Sequence, residues 1–177
     1  APEVGSASRC EGIMPRALLA LKNAGRTDLL PLLGEGLARS VYELLRVHRE
    51  GLQPESASSV PVEVLLIPAP SSAQSVRRRG YAPANLLVQE AVRQLNRRLP
   101  TSVRVRAVDV IGHAPRGRRG SGASIISGAI SGAQNEQKSL GAVGRAERMH
   151  GALRVMEPAL CAGRVSVICD DVVTTGA

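Results

Sequence analysis

The sequence predicts an α/β protein in which a parallel sheet is flanked by helices on both faces. Three short apolar runs, at residues 62–67, 103–111 and 164–169, have the length and composition of strands. Amphipathic stretches lie before and between these runs, and this alternation is typical of parallel sheets with helical crossovers. Ligands of such sheets bind at the carboxyl ends of the strands, so the residues that follow each strand are the first candidates for a site.

The helices are predicted from apolar residues that recur every three or four positions. Residues 12–26 form one such stretch, and residues 28–47 form a second, with Asp28 as the expected N-cap. Residues 82–99 predict an amphipathic helix with arginines on its polar side. A connector rich in proline and serine at residues 50–61 and a short helix at residues 144–150 complete the assignment.

Domain organisation follows from these elements. We expect residues 1–50 to be a helical lead-in and residues 51–177 to be the main domain. Residues 112–135 are rich in glycine and serine and carry Arg116, Arg118 and Arg119, so we interpret them as a flexible loop. This loop is either a lid over a site or a low-complexity insertion, and the sequence does not distinguish the two.

Composition narrows the class of protein. The 177 residues contain 23 Lys and Arg against 15 Asp and Glu, a net charge of +8, with 44% hydrophobic residues. This composition is typical of a globular domain and not of a disordered chain. Three scattered cysteines predict neither a disulfide framework nor a cysteine-based zinc site, and they favour a cytoplasmic setting. No apolar run has the length of a membrane span, and the positive charge favours polyanionic partners.

The sharpest motif is VSVICDDVVTTGA at residues 165–177. An apolar strand is followed by Asp170 and Asp171 and then by a turn with Thr174 and Thr175. Backbone amides at such a turn, together with hydroxyl groups, suit an anion such as phosphate. Two carboxylates suit the vicinal hydroxyls of a ribose or a hydrated Mg²⁺. The combination points to a sugar phosphate, and the alternative is an ordinary strand followed by an acidic helix cap.

This motif resembles the phosphoribosyl diphosphate signature of type I phosphoribosyltransferases. The resemblance implies that Asp170 and Asp171 are the catalytic pair that holds the ribose hydroxyls. It also implies that the 5-phosphate is bound by Thr174, Thr175, Gly176 and Ala177. Mg²⁺ is the implied cofactor, with Asp170 and Asp171 as its candidate protein ligands.

A second segment, IPAPSSAQSVRRRGYAPANLL at residues 67–87, resembles the ComF-type branch of these enzymes, the family related to bacterial competence proteins. The resemblance implies transfer of phosphoribosyl from 5-phosphoribosyl 1-diphosphate to an unknown acceptor. Ala82, Pro83 and Arg148 depart from the family pattern, and the family's amino-terminal cysteine pairs are missing. Since the chain stops just after Gly176, we expect a type I phosphoribosyltransferase-like fold that lacks its last helix and strand.

The chemistry requires a group that neutralises the leaving diphosphate. We expect this to be the loop after the first strand, whose candidate residues are Ser71, Ser72, Arg77, Arg78, Arg79 and Gly80. A solvated basic turn is the alternative reading of the three arginines. His113 and His150 are the remaining candidates for a base, although a lone loop histidine is more often solvated.

Two other functions stay open. One is a nucleotide-sensing domain that binds the donor without turnover. The other is an accessory of DNA uptake that binds single-stranded DNA or the competence machinery. The net charge favours nucleic acid, but single-strand grooves usually stack bases on aromatic side chains, and this chain has only Tyr42 and Tyr81. Neither the acceptor nor the oligomeric state can be predicted from the sequence.

Overall fold

The computed structural model describes residues 4–7, 11–48, 60–113 and 153–171. Over these residues the helices are α1 (Met14–Ala24), α2 (Leu30–Val47), α3 (Ala73–Arg79), α4 (Pro83–Arg98) and α5 (Pro158–Cys161). The strands are β1 (Val62–Pro68), β2 (Val103–Ala107), β3 (Ile111–His113), β4 (Leu153–Val155) and β5 (Val165–Cys169). A single 3-10 turn at Thr27–Leu29 precedes α2.

The main sheet of the described residues is parallel and has the order β2-β1-β5. Val62 pairs with Val103 on one side of β1, and Val64 pairs with Val165 on the other. The chain passes from β1 through α3 and α4 to β2, and then returns to the opposite edge of β1 as β5. The predicted α/β class with a parallel sheet is therefore confirmed.

Both faces of β1 are buried, because its side chains alternate between two hydrophobic clusters. Val64 and Leu66 face α2 and α4 and are fully buried. Leu65 and Ile67 face the segment 108–111 and Cys161 of α5. Each buried aliphatic side chain contributes about 1.5 to 3 kcal/mol. The sheet is thus covered by two long helices on one face, and by an irregular segment with a four-residue helix on the other.

Helix α1 belongs to a third cluster, in which the buried residues Leu21, Leu33 and Leu87 come from α1, α2 and α4. The residues predicted as a helical lead-in therefore pack directly against helices of the same fold. We find α1 at Met14–Ala24, inside the predicted range 12–26.

Three predicted boundaries were wrong. The strand predicted over 103–111 divides, because β2 ends at Ala107 and β3 pairs with β4 in a separate antiparallel sheet. Gly112 and His113 of the predicted loop 112–135 lie in β3, and the other residues of that loop lie outside the described part. Asp28 does not cap α2, since its carboxylate accepts two hydrogen bonds from Arg26, at 2.8 and 2.7 Å.

The connector predicted at 50–61 falls almost entirely outside the described residues, as does the helix predicted at 144–150. No helix among the described residues is long and apolar enough to cross a membrane.

Candidate functional site

The candidate site lies where the carboxyl ends of β1 and β5 meet. Pro68 is paired with Cys169, and the Ala69 amide donates a hydrogen bond to the Cys169 carbonyl oxygen at 2.8 Å. The chain leaves β1 toward β2 on one side, while β5 lies on the other side. We call the space outside these two strand ends the crevice, because ligands of open α/β sheets usually bind outside the carboxyl ends of the strands.

Asp170 and Asp171 lie at this edge, immediately after β5. The Asp171 amide donates a hydrogen bond to Asp170 Oδ1 at 2.8 Å. The Asp171 side chain is only 10% exposed, and its Oδ2 lies 2.5 Å from Lys22 Nζ. The structure therefore has the carboxylate pair directly after the carboxyl end of β5, with a lysine in contact with Asp171.

The environment of Asp170 disfavours its charged form. Asp170 is exposed as a residue, but loss of water around its carboxyl group is the main effect that raises its pKa, and the Asp171 carboxylate raises it further. The Asp171 amide and Lys22 act in the opposite direction and only partly offset this. Carboxyl groups with perturbed pKa values are common at functional sites.

Lys22 is a site residue that the sequence analysis missed. It lies in the last turn of α1, next to Leu21, whose side chain is fully buried. The Leu21 carbonyl oxygen, near the helix end where carbonyls lack helical partners, accepts a hydrogen bond from the Tyr81 hydroxyl. Helical spacing in the sequence places Lys22 beside the apolar face of α1. It could not identify the partner of Lys22, because nearly 150 positions separate Lys22 from Asp171.

The predicted diphosphate loop after β1 contains a helix. Residues 69–72 leave the strand, and α3 then runs from Ala73 to Arg79. The Ser72 Oγ accepts a hydrogen bond from the Ser75 amide at 3.2 Å, so Ser72 is the N-cap of α3. Ser71 is half-buried and directly precedes this cap. Ser71 and Ser72 therefore stay close to the carboxyl end of β1, as predicted.

The three arginines of this segment are placed differently from what we expected. They occupy the last turn of α3, and a seven-residue helix is about 10 Å long, so they lie one helix length from Ser72. Arg77 and Arg78 are exposed, whereas Arg79 is half-buried, and its buried Nε has no hydrogen-bond partner. Gly80 ends the helix with φ of 82°, a conformation that a residue with a side chain rarely adopts. Gly80 is thus a helix terminator here and not part of an open loop.

Cys169 precedes the carboxylate pair but is unsuited to nucleophilic chemistry. Burial raises the pKa of its thiol to about 12, so the thiolate is scarce at neutral pH. Cys161 and Cys169 are both free, and Cys10 lies outside the described residues.

Several predicted residues lie outside the described residues: Thr174, Thr175, Gly176, Ala177 and His150. Among residues 4–7, 11–48, 60–113 and 153–171, no group of three or more His, Cys, Asp or Glu side chains could hold a metal ion. Asp170 and Asp171 are thus two carboxylates that need further oxygen ligands, such as phosphate oxygens, to complete a Mg²⁺ site.

Comparison with models of known protein families, with curated proteins and with solved structures finds no match to this chain. The geometry of the crevice is therefore the basis for a functional assignment. It combines two adjacent carboxylates, one lysine and two serines at the carboxyl ends of neighbouring parallel strands.

Proposed function

We propose that this protein binds 5-phosphoribosyl 1-diphosphate, together with Mg²⁺, and transfers its phosphoribosyl group to a nitrogen acceptor. The observation that carries the proposal is the position of Asp170 and Asp171 in the crevice between the ends of β1 and β5. Carboxylate oxygens accept hydrogen bonds from vicinal ribose hydroxyls. The resemblance of residues 165–177 and 67–87 to type I and ComF-type phosphoribosyltransferases supports the same ligand.

The reaction breaks the bond between ribose C1 and the diphosphate oxygen and forms a bond between C1 and the acceptor nitrogen. Diphosphate leaves with the bonding electrons, and the acceptor nitrogen loses a proton. The chain's own part is to hold the ribose through Asp170 and Asp171 and to hydrogen-bond the departing diphosphate. We assign the second task to the Ser71 and Ser72 hydroxyls, which follow β1 along the chain, and the threonines of the 5-phosphate motif are assigned by the resemblance alone.

Mg²⁺ fits the donor set at this edge. Asp170 and Asp171 offer carboxylate oxygens, and Mg²⁺ commonly takes one or two carboxylates together with phosphate oxygens and water. When bound, the ion would neutralise charge on the diphosphate as it leaves.

Ion pairs reduce the number of described arginines that are free to bind a nucleic acid. Four arginines are paired with acidic residues of the same fold, in the pairs Arg98 with Glu35, Arg93 with Glu90, and both Arg106 and Arg164 with Glu63. A protein that binds phosphates along a nucleic acid needs its cations free to replace counterions.

The proposal is tested by the melting temperature of the protein with 5-phosphoribosyl 1-diphosphate and Mg²⁺. A ligand at about 100 times its Kd stabilises the folded state by about 2.7 kcal/mol, which corresponds to roughly 5 to 10 °C at this chain length. Asp171→Asn should lose this shift. Asp28→Asn, which removes an exposed carboxylate of the turn before α2, should keep it.

Two results would contradict the proposal: no shift in the unchanged protein, or an equal shift in Asp171→Asn. Release of diphosphate on addition of a panel of nitrogen bases and amines tests the transfer step. Binding without release from any acceptor would support the nucleotide-sensing alternative. Affinity for single-stranded DNA that falls steeply with salt, with no stabilisation by the donor, would support the DNA-uptake alternative.

A further inference from the structure

Lys22 is the one cation that contacts the carboxylate pair among the described residues. Its Nζ lies 2.5 Å from Asp171 Oδ2, and the two side chains are 28% and 10% exposed. The pair is therefore mostly withdrawn from water, so its charges are weakly screened. Opening such a pair would leave a nearly buried carboxylate without its partner, which is strongly unfavourable.

The helix that carries Lys22 is anchored at the preceding residue, Leu21. The neighbouring Leu21 is fully buried against Leu33 and Leu87, and its carbonyl oxygen accepts the Tyr81 hydroxyl. Tyr81 lies between α3 and α4, so the contact joins α1 to the segment that follows Ser71 and Ser72 along the chain. Lys22 thus reaches the crevice from a rigid position, which is what a specificity-determining side chain requires.

The charges at the crevice explain what such a lysine would do. Asp170 and Asp171 together carry two negative charges when ionised, and they would repel a ligand with an anionic diphosphate. The ribose hydroxyls are neutral donors, and the carboxylates bind them without help from a cation. An ammonium group has three N–H donors, of which Asp171 occupies one, so the others remain for an anionic oxygen.

We propose that Lys22 determines the specificity of the crevice for ligands that carry a diphosphate group. Its ammonium group donates one N–H to Asp171, which holds the lysine at the crevice, and another to a diphosphate oxygen. This inference rests on the proposed function, because it assigns one contact within the same site. It predicts that loss of Lys22 weakens the binding of ligands with a diphosphate group and leaves the affinity for ribose 5-phosphate nearly unchanged.

The test compares three probes by calorimetric titration: 5-phosphoribosyl 1-diphosphate, inorganic diphosphate and ribose 5-phosphate, the first two with Mg²⁺. Lys22→Met should weaken binding of both diphosphate-containing probes about tenfold or more, which is typical for loss of a charge-assisted hydrogen bond. Binding of ribose 5-phosphate should change by less than about threefold. Lys22→Arg should retain most of the affinity for all three probes.

The controls separate specificity from folding. Arg26→Met removes the same charge four residues further along, from an exposed pair with Asp28, and should leave all three affinities unchanged. Lys22→Gln keeps a hydrogen-bond donor for Asp171 and replaces Lys22→Met in the test if that variant does not fold. It should show the same selective loss of affinity for the two diphosphate-containing probes. The melting temperature of each variant without ligand reports its folding.

The outcomes are distinguishable. Equal losses for all three probes, or no loss in Lys22→Met and Lys22→Gln, would overturn the role of Lys22 and leave the proposed function standing. If the unchanged protein binds none of the probes, both the proposed function and this inference are wrong.

Discussion

The Tyr81 hydroxyl donates a hydrogen bond to the carbonyl oxygen of Leu21, and this contact fixes the end of α1 against the segment between α3 and α4. The next residue of α1 is Lys22, which contacts Asp171. A single hydrogen bond between residues 60 positions apart therefore helps to hold the lysine at the crevice.

Tyr81→Phe should destabilise the protein by about 1 kcal/mol, because the half-buried Leu21 carbonyl loses its partner. At this chain length the melting temperature should fall by roughly 2 to 4 °C. Tyr42→Phe is the matched control, since Tyr42 is the only other residue of the sequence among Phe, Trp and Tyr and it is exposed. Equal melting temperatures for the two variants would show that the Tyr81 contact adds nothing to stability.

Gly34 of α2 packs directly against Glu90 of α4. A Cβ atom at this position would lie 2.8 Å from Glu90 Cβ and would also clash with Glu90 Cγ, so the two helices must separate to accept it. We expect Gly34→Ala to destabilise the fold by about 1 to 2 kcal/mol, although alanine favours a helix. Chemical denaturation measures this difference.

Gly36 provides the control, since it lies in the same helix. A Cβ atom there would lie 3.5 Å from Ala7 Cβ, an ordinary contact. Gly36→Ala should therefore stabilise the protein by up to about 1 kcal/mol, because alanine has the higher helix propensity. Stabilisation by both substitutions would contradict the close packing of α2 on α4.

The sequence predicts the parts of the fold that depend on local pattern. Strands β1 and β5 are continuous apolar runs, and α1, α2 and α4 have clear helical spacing, so all five are found close to their expected positions. Helix α3 also has local signals, in Ser72 as N-cap and Gly80 as terminator. The three arginines favour a loop interpretation by their charge, but these two signals at the ends of the segment indicate a helix.

What the sequence does not predict depends on distant partners. Strand β3 exists because it pairs with β4, about 40 residues later, and alternation in 103–111 gives no sign that β2 ends at Ala107. The contact of Lys22 with Asp171 is of the same kind. The carboxylate pair itself was predictable, because a motif places it directly after a strand.

Glu63 links β1 to β2 and to the residue before β5 through ion pairs, and it should make stability depend on pH. Its carboxylate contacts Arg106 of β2 at 2.9 Å and Arg164, which precedes β5, at 2.8 Å. The hydrogen bond from Arg106, together with the charges of Arg106 and Arg164, lowers the pKa of Glu63. A lowered pKa means that this stabilisation is present above the ordinary glutamate pKa of about 4.3 and is lost as the pH falls through the folded-state value.

Glu63→Gln should therefore cost about 1 kcal/mol or less at pH 7, since the side chain is one-quarter exposed and such pairs are screened by solvent. The difference in free energy of unfolding between this variant and the unchanged protein should become smaller toward pH 3. Glu43→Gln removes an exposed pair with Arg46 inside α2 and should change stability less. Denaturation curves at pH 7 and pH 3 measure both variants, and a difference that does not depend on pH would contradict the assignment.

Asp170 should show the opposite behaviour, because loss of water around its carboxyl group and the Asp171 carboxylate raise its pKa. A raised carboxyl pKa means that the ionised group costs the folded state free energy above that pKa, and the cost disappears as the pH falls below the ordinary aspartate value of about 3.9. Asp170→Asn should therefore be more stable than the unchanged protein at pH 7, and this advantage should vanish near pH 3. In the same variant, stabilisation by 5-phosphoribosyl 1-diphosphate should be lost.

Glu157→Gln removes an exposed carboxylate at the start of α5 and is the control for Asp170→Asn. It should change neither the stability at pH 7 nor the response to the ligand. A gain in stability together with a loss of ligand binding, confined to Asp170→Asn, is expected only when a carboxylate is retained at a cost to folding because a ligand needs it. A variant that is less stable at pH 7 would instead identify Asp170 as a structural residue and weaken its assignment to the ribose hydroxyls.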